Sequence, residues 1–187
     1  MSGGRFTGAP RAQGSRNGLR ALKALIVDDN RHMRKLLVTL LEAYGIKESY
    51  EATDGQSGVD LLRAHKPDFV LTDYHMKPVN GVAFVKMVRH TCVPPLSWVP
   101  IILITAHTEI QRIELARDAG ITEILCKPVT PVNLYQRIVE IIERPRRFVK
   151  TPEFLGPDRR RRRGDGDSES PKRRSEDPGN DEDVLAI

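Results

Sequence analysis

Five side chains suited to phosphoryl chemistry follow short apolar runs. Asp28 and Asp29 follow the run 22–27, Asp73 follows 69–72, Thr105 follows 101–104 and Lys127 follows 121–126. Runs this short and this rich in β-branched residues read as strands buried on both faces. In an open α/β sheet such strand ends converge on one crevice. Three carboxylates gathered there repel one another and call for a cation. Oxygen ligands with room for water suit Mg²⁺, which keeps several waters and pairs with phosphate. Lys127 and the Thr105 hydroxyl would hold the remaining phosphoryl oxygens. Asp73 would then be the nucleophile, with catalysis by positioning and charge neutralisation. Singly, each residue has an ordinary structural explanation: a helix cap, a turn or a strand end. Their order, one strand–helix unit apart, is what distinguishes the set.

The elements that must position these residues are legible. Met33, Leu36, Leu37, Leu40, Leu41 and Tyr44 form a helical stripe, and Gly45 is placed to stop it. Residues 49–52 read as a short strand. Asp54 can cap a helix bearing Val59, Leu61 and Leu62, which Lys66-Pro67 ends. Asn80-Gly81 opens a helix carrying Val82, Val85, Met87 and Val88. Pro94, Pro95 and Pro100 predict an extended loop over 91–100, with Trp98 as a packing anchor beneath it. Ile110, Ile113, Leu115, Ala116 and Ala119 mark the next helix, closed by Gly120. The last is capped by Thr130, has Pro131 at its first position and carries Tyr135, Ile138, Val139 and Ile142. Five strand–helix units in succession predict an α/β fold: a doubly wound, five-stranded parallel sheet with helices on both faces, over residues 21–144.

The charge is unevenly spread. Residues 1–20 carry +4, residues 21–143 carry −1 and residues 144–187 carry +2, within a chain of 187 residues and net charge +5. Nucleic-acid binding would therefore rest on the tails alone. Residues 1–20 read as a disordered basic arm and residues 145–187 as a disordered charged tail containing five consecutive arginines at 159–163. Phe148, Phe154 and Leu155 within that tail would either pack back on the domain or form a docking motif. Cys92 and Cys126 sit in apolar surroundings outside any CxxC pattern, which predicts reduced, buried thiols and a cytoplasmic protein. No apolar run reaches the length of a secretory signal core or a membrane span.

Asp28-Asp29, Asp73, Thr105-Ala106 and Lys127-Pro128, together with Gly81 eight residues after Asp73, resemble in order the motifs of two-component response regulator receiver domains. The likeness covers roughly residues 21–144 and suggests a stand-alone receiver of the chemotaxis-response type. It implies that a phosphohistidine on a sensor kinase or phosphotransfer protein donates to Asp73. It implies that Asp29, Asp73 and the backbone carbonyl of His75 bind Mg²⁺ directly, and that Asp28 does so through water. Lys127 would neutralise phosphoryl oxygens and Thr105 would move to bond one, repacking a partner-binding face. The resemblance also implies a cis bond before Pro128. Three positions depart from the family pattern. Ile124 replaces the usual aromatic switch three residues before the lysine. Pro78 lies five residues after the acceptor rather than four, behind Lys77. Histidines at 75 and 107 occupy places that tune water access to the phosphoryl group.

The first expectation is a phosphorylation-controlled binding module, with self-catalysed transfer and hydrolysis but no turnover activity. A phosphate sink or relay would need no output face. A haloacid-dehalogenase-type phosphatase also uses Asp, Mg²⁺, Thr or Ser, and Lys. Its nucleophile, however, lies in a DxD motif after the first strand, where this chain has adjacent acids.

Overall fold

The computed structural model describes residues 16–106, 109–151 and 154–158. The expected disordered tracts at 1–15 and 159–187, with their arginine run, and His107 lie outside the described residues.

Five parallel strands form one sheet: β1 (Lys23–Val27), β2 (Glu48–Ala52), β3 (Phe69–Asp73), β4 (Ile101–Thr105) and β5 (Glu123–Cys126), in spatial order β2-β1-β3-β4-β5. Each of the first four is followed by a crossover helix and the fifth by the last: α2 (Arg31–Ala43), α3 (Gly55–His65), α4 (Gly81–Thr91), α5 (Ile110–Asp118) and α6 (Pro131–Glu143). The caps predicted at Asp54, Asn80 and Thr130 are present, and Asn30 supplies one more. Asn30, Asp54, Asn80 and Thr130 each accept hydrogen bonds from backbone N–H groups of the first helical turn. Gly45 and Gly120 turn the chain after α2 and α5 at φ of +93° and +95°, a region glycine enters without a Cβ penalty.

The sheet separates two apolar layers. Ala24, Ile26, Leu71, Ile102 and Ile104 face α2 and α6. Leu25, Val27, Val70, Ile101 and Leu103 face α3, α4 and α5. The alternation along each strand follows from the two-residue side-chain period. Register then aligns the functional ends: Val27 pairs with Thr72, Asp73 with Ile104, and Thr105 with Cys126.

Four local expectations are corrected. First, residues 16–19 are not structureless: α1 (Arg16–Leu19) is a short helical turn whose Leu19 is buried, with its carbonyl accepting from Leu22 N–H. Second, α4 runs to Thr91, and the proline-rich segment folds into a 3-10 turn, Leu96–Trp98, rather than staying extended. Its buried residues are Ser97 and Val99, and Trp98 is only partly covered. Third, both cysteines are free thiols, but Cys126 is exposed and Cys92 half-buried. Cys126 closes an edge strand, so its outward face meets solvent.

The fourth correction concerns the tail: its first part is ordered, and of the two expectations for Phe148 and Leu155, packing back on the domain is the one the structure shows. Two short strands, β6 (Phe148–Lys150) and β7 (Leu155–Pro157), pair antiparallel and are strapped onto the body. Arg89 of α4, almost fully buried, is the hub. Its Nε donates to the Gly120 carbonyl at 3.1 Å, its Nη1 to the Ser97 carbonyl at 2.9 Å, and its guanidinium lies 5.1 Å from the centre of the Phe148 ring. A Cβ on Gly156 would meet the Gly120 Cα at 2.7 Å, and one on Gly120 would meet the Leu155 carbonyl oxygen at 2.4 Å. The two glycines thus permit a backbone-to-backbone approach that no larger residue allows. Arg146, just ahead of the strap, pairs with Glu123 at the start of β5, as does Arg137. Burial holds the Arg89 guanidinium below its usual range, at about 9, because no described carboxylate offsets its desolvation.

Candidate functional site

Asp28, Asp73, Thr105 and Lys127 converge at the carboxyl edge of the sheet. Asp73 ends β3 and is 5 % exposed; Asp28 follows β1 and is 1 % exposed; Thr105 ends β4 and is 3 % exposed. Lys127 follows β5, where its N–H donates to the Thr105 carbonyl at 2.8 Å. Its Nζ lies 2.7 Å from Asp73 Oδ1. The other carboxylate oxygen, Oδ2, accepts the His75 backbone N–H at 2.8 Å. The acceptor carboxylate is therefore fixed in orientation by one cation and one amide.

Asp28 is held differently. Its Oδ1 accepts the Asn30 N–H at 2.7 Å, and its backbone carbonyl accepts Arg34 Nη1 at 2.9 Å. Arg34 in turn reaches Glu51 through Nε at 3.0 Å, tying the acidic turn to the end of β2. Asp28 Oδ2 is buried without a hydrogen-bond partner. Burial pushes the Asp28 carboxyl up to about 6; the Asn30 N–H opposes this, and repulsion from Asp73 adds to it. Asp29 stands exposed at the rim, and the side chain of His75 is exposed beside it in the loop after β3.

Close packing leaves the acceptor no slack. The Gly81 N–H donates to the Tyr74 carbonyl at 3.0 Å, and a Cβ at Gly81 would lie 2.1 Å from the Asp73 carbonyl oxygen. Bonds from Lys127 to Pro128 and from Lys77 to Pro78 are both cis, the first as the resemblance implied. Ile124 shares a shallow cleft with Tyr74, Leu103, Thr105, Arg112 and Ala116. Tyr74, directly after the acceptor, was not singled out by sequence reasoning. Its only signal is its place in the chain.

A family model described as the response regulator receiver domain matches residues 24–139. The chain belongs to the response regulator receiver family. Within that family, the receiver is 33 % identical over 123 residues to the chemotaxis protein CheY-3 of Vibrio cholerae, covering 66 % of this chain and 93 % of the relative. It is 32 % identical to the chemotaxis protein CheY of Pseudomonas aeruginosa, covering 66 % and 98 %. Among solved structures it resembles the Vibrio cholerae chemotaxis protein CheY4, with TM-score 0.60 and 26 % identity over 64 % of this chain and 98 % of that one. A response regulator from Chloroflexus aurantiacus gives TM-score 0.61 and 28 % identity over 66 % and 98 %. The receiver's doubly wound parallel sheet is that of these neighbours.

Receivers generally bind Mg²⁺, and the residues present fit it. Among the described residues no three His, Cys, Asp or Glu side chains stand close enough to cage a metal unaided. That suits an ion which usually takes one or two carboxylates and completes its shell with water and phosphate. The buried, unpartnered Asp28 Oδ2 supplies a donor that a cation would satisfy.

The same atom makes a prediction about stability. A carboxyl raised from 3.8 to about 6 on folding binds its proton more tightly in the folded state. Folding is therefore favoured at low pH, and the benefit is lost as pH rises from about 4 through about 6. Asp28→Asn removes that penalty. Without Mg²⁺ it is expected to raise stability by about 1–3 kcal/mol at neutral pH and to gain little below about pH 4. Urea melts at the two pH values check this; a variant less stable at neutral pH contradicts the assignment.

Proposed function

We propose that this receiver accepts a phosphoryl group from a phosphohistidine onto Asp73 with Mg²⁺, in the cytoplasm, and that the modified form binds a partner protein. The observation that carries the proposal is the Lys127–Asp73 contact of 2.7 Å beside an unpartnered Asp28 oxygen. Asp29, Asp73 and the His75 carbonyl would hold Mg²⁺ directly and Asp28 through water, and the ion would supply positive charge against the phosphoryl oxygens. Asp73 attacks phosphorus, the P–N bond to the donor imidazole breaks, and that imidazole departs as the leaving group. Lys127 offsets charge on the phosphoryl oxygens, and Thr105, one strand over, donates its hydroxyl to one of them. The chemistry is self-catalysed transfer and hydrolysis, not turnover of a substrate pool. The donor is a sensor histidine kinase or a histidine phosphotransfer protein.

The output side of the reading draws on exposed apolar groups along α5 and α6. Ile110 is 74 % exposed, Leu115 55 % and Val132 64 %. By likeness to the chemotaxis proteins it resembles, the receiver would use this α5–β5–α6 face for its partner. A second reading, a phosphate sink or relay without an output face, is favoured by Ile124, which cannot act as an aromatic switch.

Intact mass after incubation with Mg²⁺ and acetyl phosphate tests the acceptor. One added phosphoryl group is expected on the native chain and none on Asp73→Asn. Equal labelling of both, or labelling of neither with any donor including a phosphorylated kinase, overturns the proposal.

A further inference from the structure

The end of the sheet opposite Asp73 carries exposed basic side chains. All five strands begin there, α3 and α4 end there, and the strap crosses it. Arg63, in the last turn of α3, donates to the hydroxyl of Thr91 at 3.3 Å, so the ends of the two helices meet. Arg89 joins the end of α4 to the 3-10 turn and to Phe148. Around this junction Lys66, His90, Arg147 and Lys150 are exposed. Several acids at this end are already engaged: Asp68 accepts the Lys23 N–H, Glu48 pairs with Lys23, Glu123 is held by Arg137 and Arg146, and Asp118 and Asp158 have partners too, which leaves Glu143 exposed at the end of α6. Lys66, Arg147 and Lys150 form no ion pair with a described residue.

Two exposed aliphatic groups lie on the same segments. Val93, just beyond α4, is 73 % exposed, and Val149 of the strap is 39 % exposed. The aromatic groups are turned away: Phe148 lies on Arg89, and Trp98 is partly covered. The Asp158 N–H donates to the Arg147 carbonyl at 2.7 Å, and five arginines follow directly in the sequence.

We propose that this face docks on an anionic lipid surface. Lysine and arginine beside a membrane are attracted by its surface charge, and aliphatic tips enter the boundary between headgroups and acyl chains. A single-stranded nucleic acid would instead call for exposed rings on which bases stack, which this face lacks among the described residues. The contact leaves the Asp73 edge pointing away from the lipid, free for a donor.

The test is co-sedimentation of the full chain with phosphatidylcholine vesicles, with and without phosphatidylglycerol. Binding is expected only to the anionic vesicles, and it weakens with added salt. At about fivefold per basic residue removed, Arg147→Glu with Lys150→Glu should weaken partitioning by about 25-fold or more. Val93→Asp should weaken it further, and Asp73→Asn should leave it unchanged. Equal partitioning of the charge-reversed and native chains would assign any binding to the arginine run alone and overturn the proposal. Absence of binding to anionic vesicles would overturn it too. So would tighter binding to RNA or duplex DNA that the same substitutions abolish, which would give the face to nucleic acid. Because Asp73→Asn is included, loss of phosphorylation and loss of lipid binding are read separately.

Discussion

Lys127→Ala is expected to slow phosphorylation of Asp73 by acetyl phosphate about 100-fold or more while the chain still folds. Removing one preorganised group that stabilises developing charge typically costs that much, and Lys127 Nζ is 2.7 Å from the acceptor oxygen. Its second effect is on stability. Asp73 is nearly buried and would lose its cation while remaining near the ionised Asp28. Breaking a buried pair by removing one partner costs up to about 3–5 kcal/mol. Because Lys127 is itself 29 % exposed, water replaces part of that contact, and a loss of about 1–2 kcal/mol is expected. Lys127→Arg keeps the charge but not the geometry, and should recover stability more than rate. Time-resolved intact mass and urea melts separate the two. A labelling rate within a few-fold of native for Lys127→Ala would remove the lysine from the chemistry.

Gly81→Ala is expected to damage fold and site together. Its Cβ would stand 2.1 Å from the Asp73 carbonyl oxygen and 3.0 Å from Leu103 Cδ1. The first obstacle is backbone in a central strand, so a side-chain rotation cannot relieve it. Either α4 moves outward, breaking the Gly81–Tyr74 hydrogen bond, or the end of β3 yields. Overpacking of this kind costs about 1–3 kcal/mol and sometimes more. A displacement of about 1 Å at a reacting group can cost 100-fold in rate. Thermal unfolding and labelling are both expected to show the change. A melting temperature and a labelling rate like those of the native chain would mean that the loop after β3 adapts freely.

The five strand–helix units and the convergent site were legible because both rest on local signals. Apolar runs fix most of the strands, and Asp54, Asn80 and Thr130 announce their helix starts. A parallel sheet then leaves only one edge for Asp28, Asp73, Thr105 and Lys127. That the segment around Phe148 and Leu155 would pack back was one of two sequence expectations, but its strand pairing and its partners were not legible, for a physical reason. It is held by a cation over a ring, a contact between two glycine backbones and one ion pair, none of which leaves a periodic pattern. Charge density around it favoured a disordered reading, while the deciding partner, Arg89, sits about sixty residues earlier in the chain. The exposure of Cys126 was hidden likewise, because an apolar run does not reveal which of its strands lies at the sheet's edge. Asp28 offered no sequence cue that its second oxygen would be stranded, since that depends on how the Asn30 turn folds over it.

The division of the interior into two layers has a consequence for how this chain can change over time. Among the described residues no side chain belongs to both layers, and the sheet lies between them. Substitutions at Leu41 or Ile138, on one side, should add independently to substitutions at Phe84 or Val59 on the other, whereas neighbours within a layer should show coupling. The α5–β5–α6 face takes one helix from each layer, so its two halves can drift at separate rates, each repacked without forcing the other to follow.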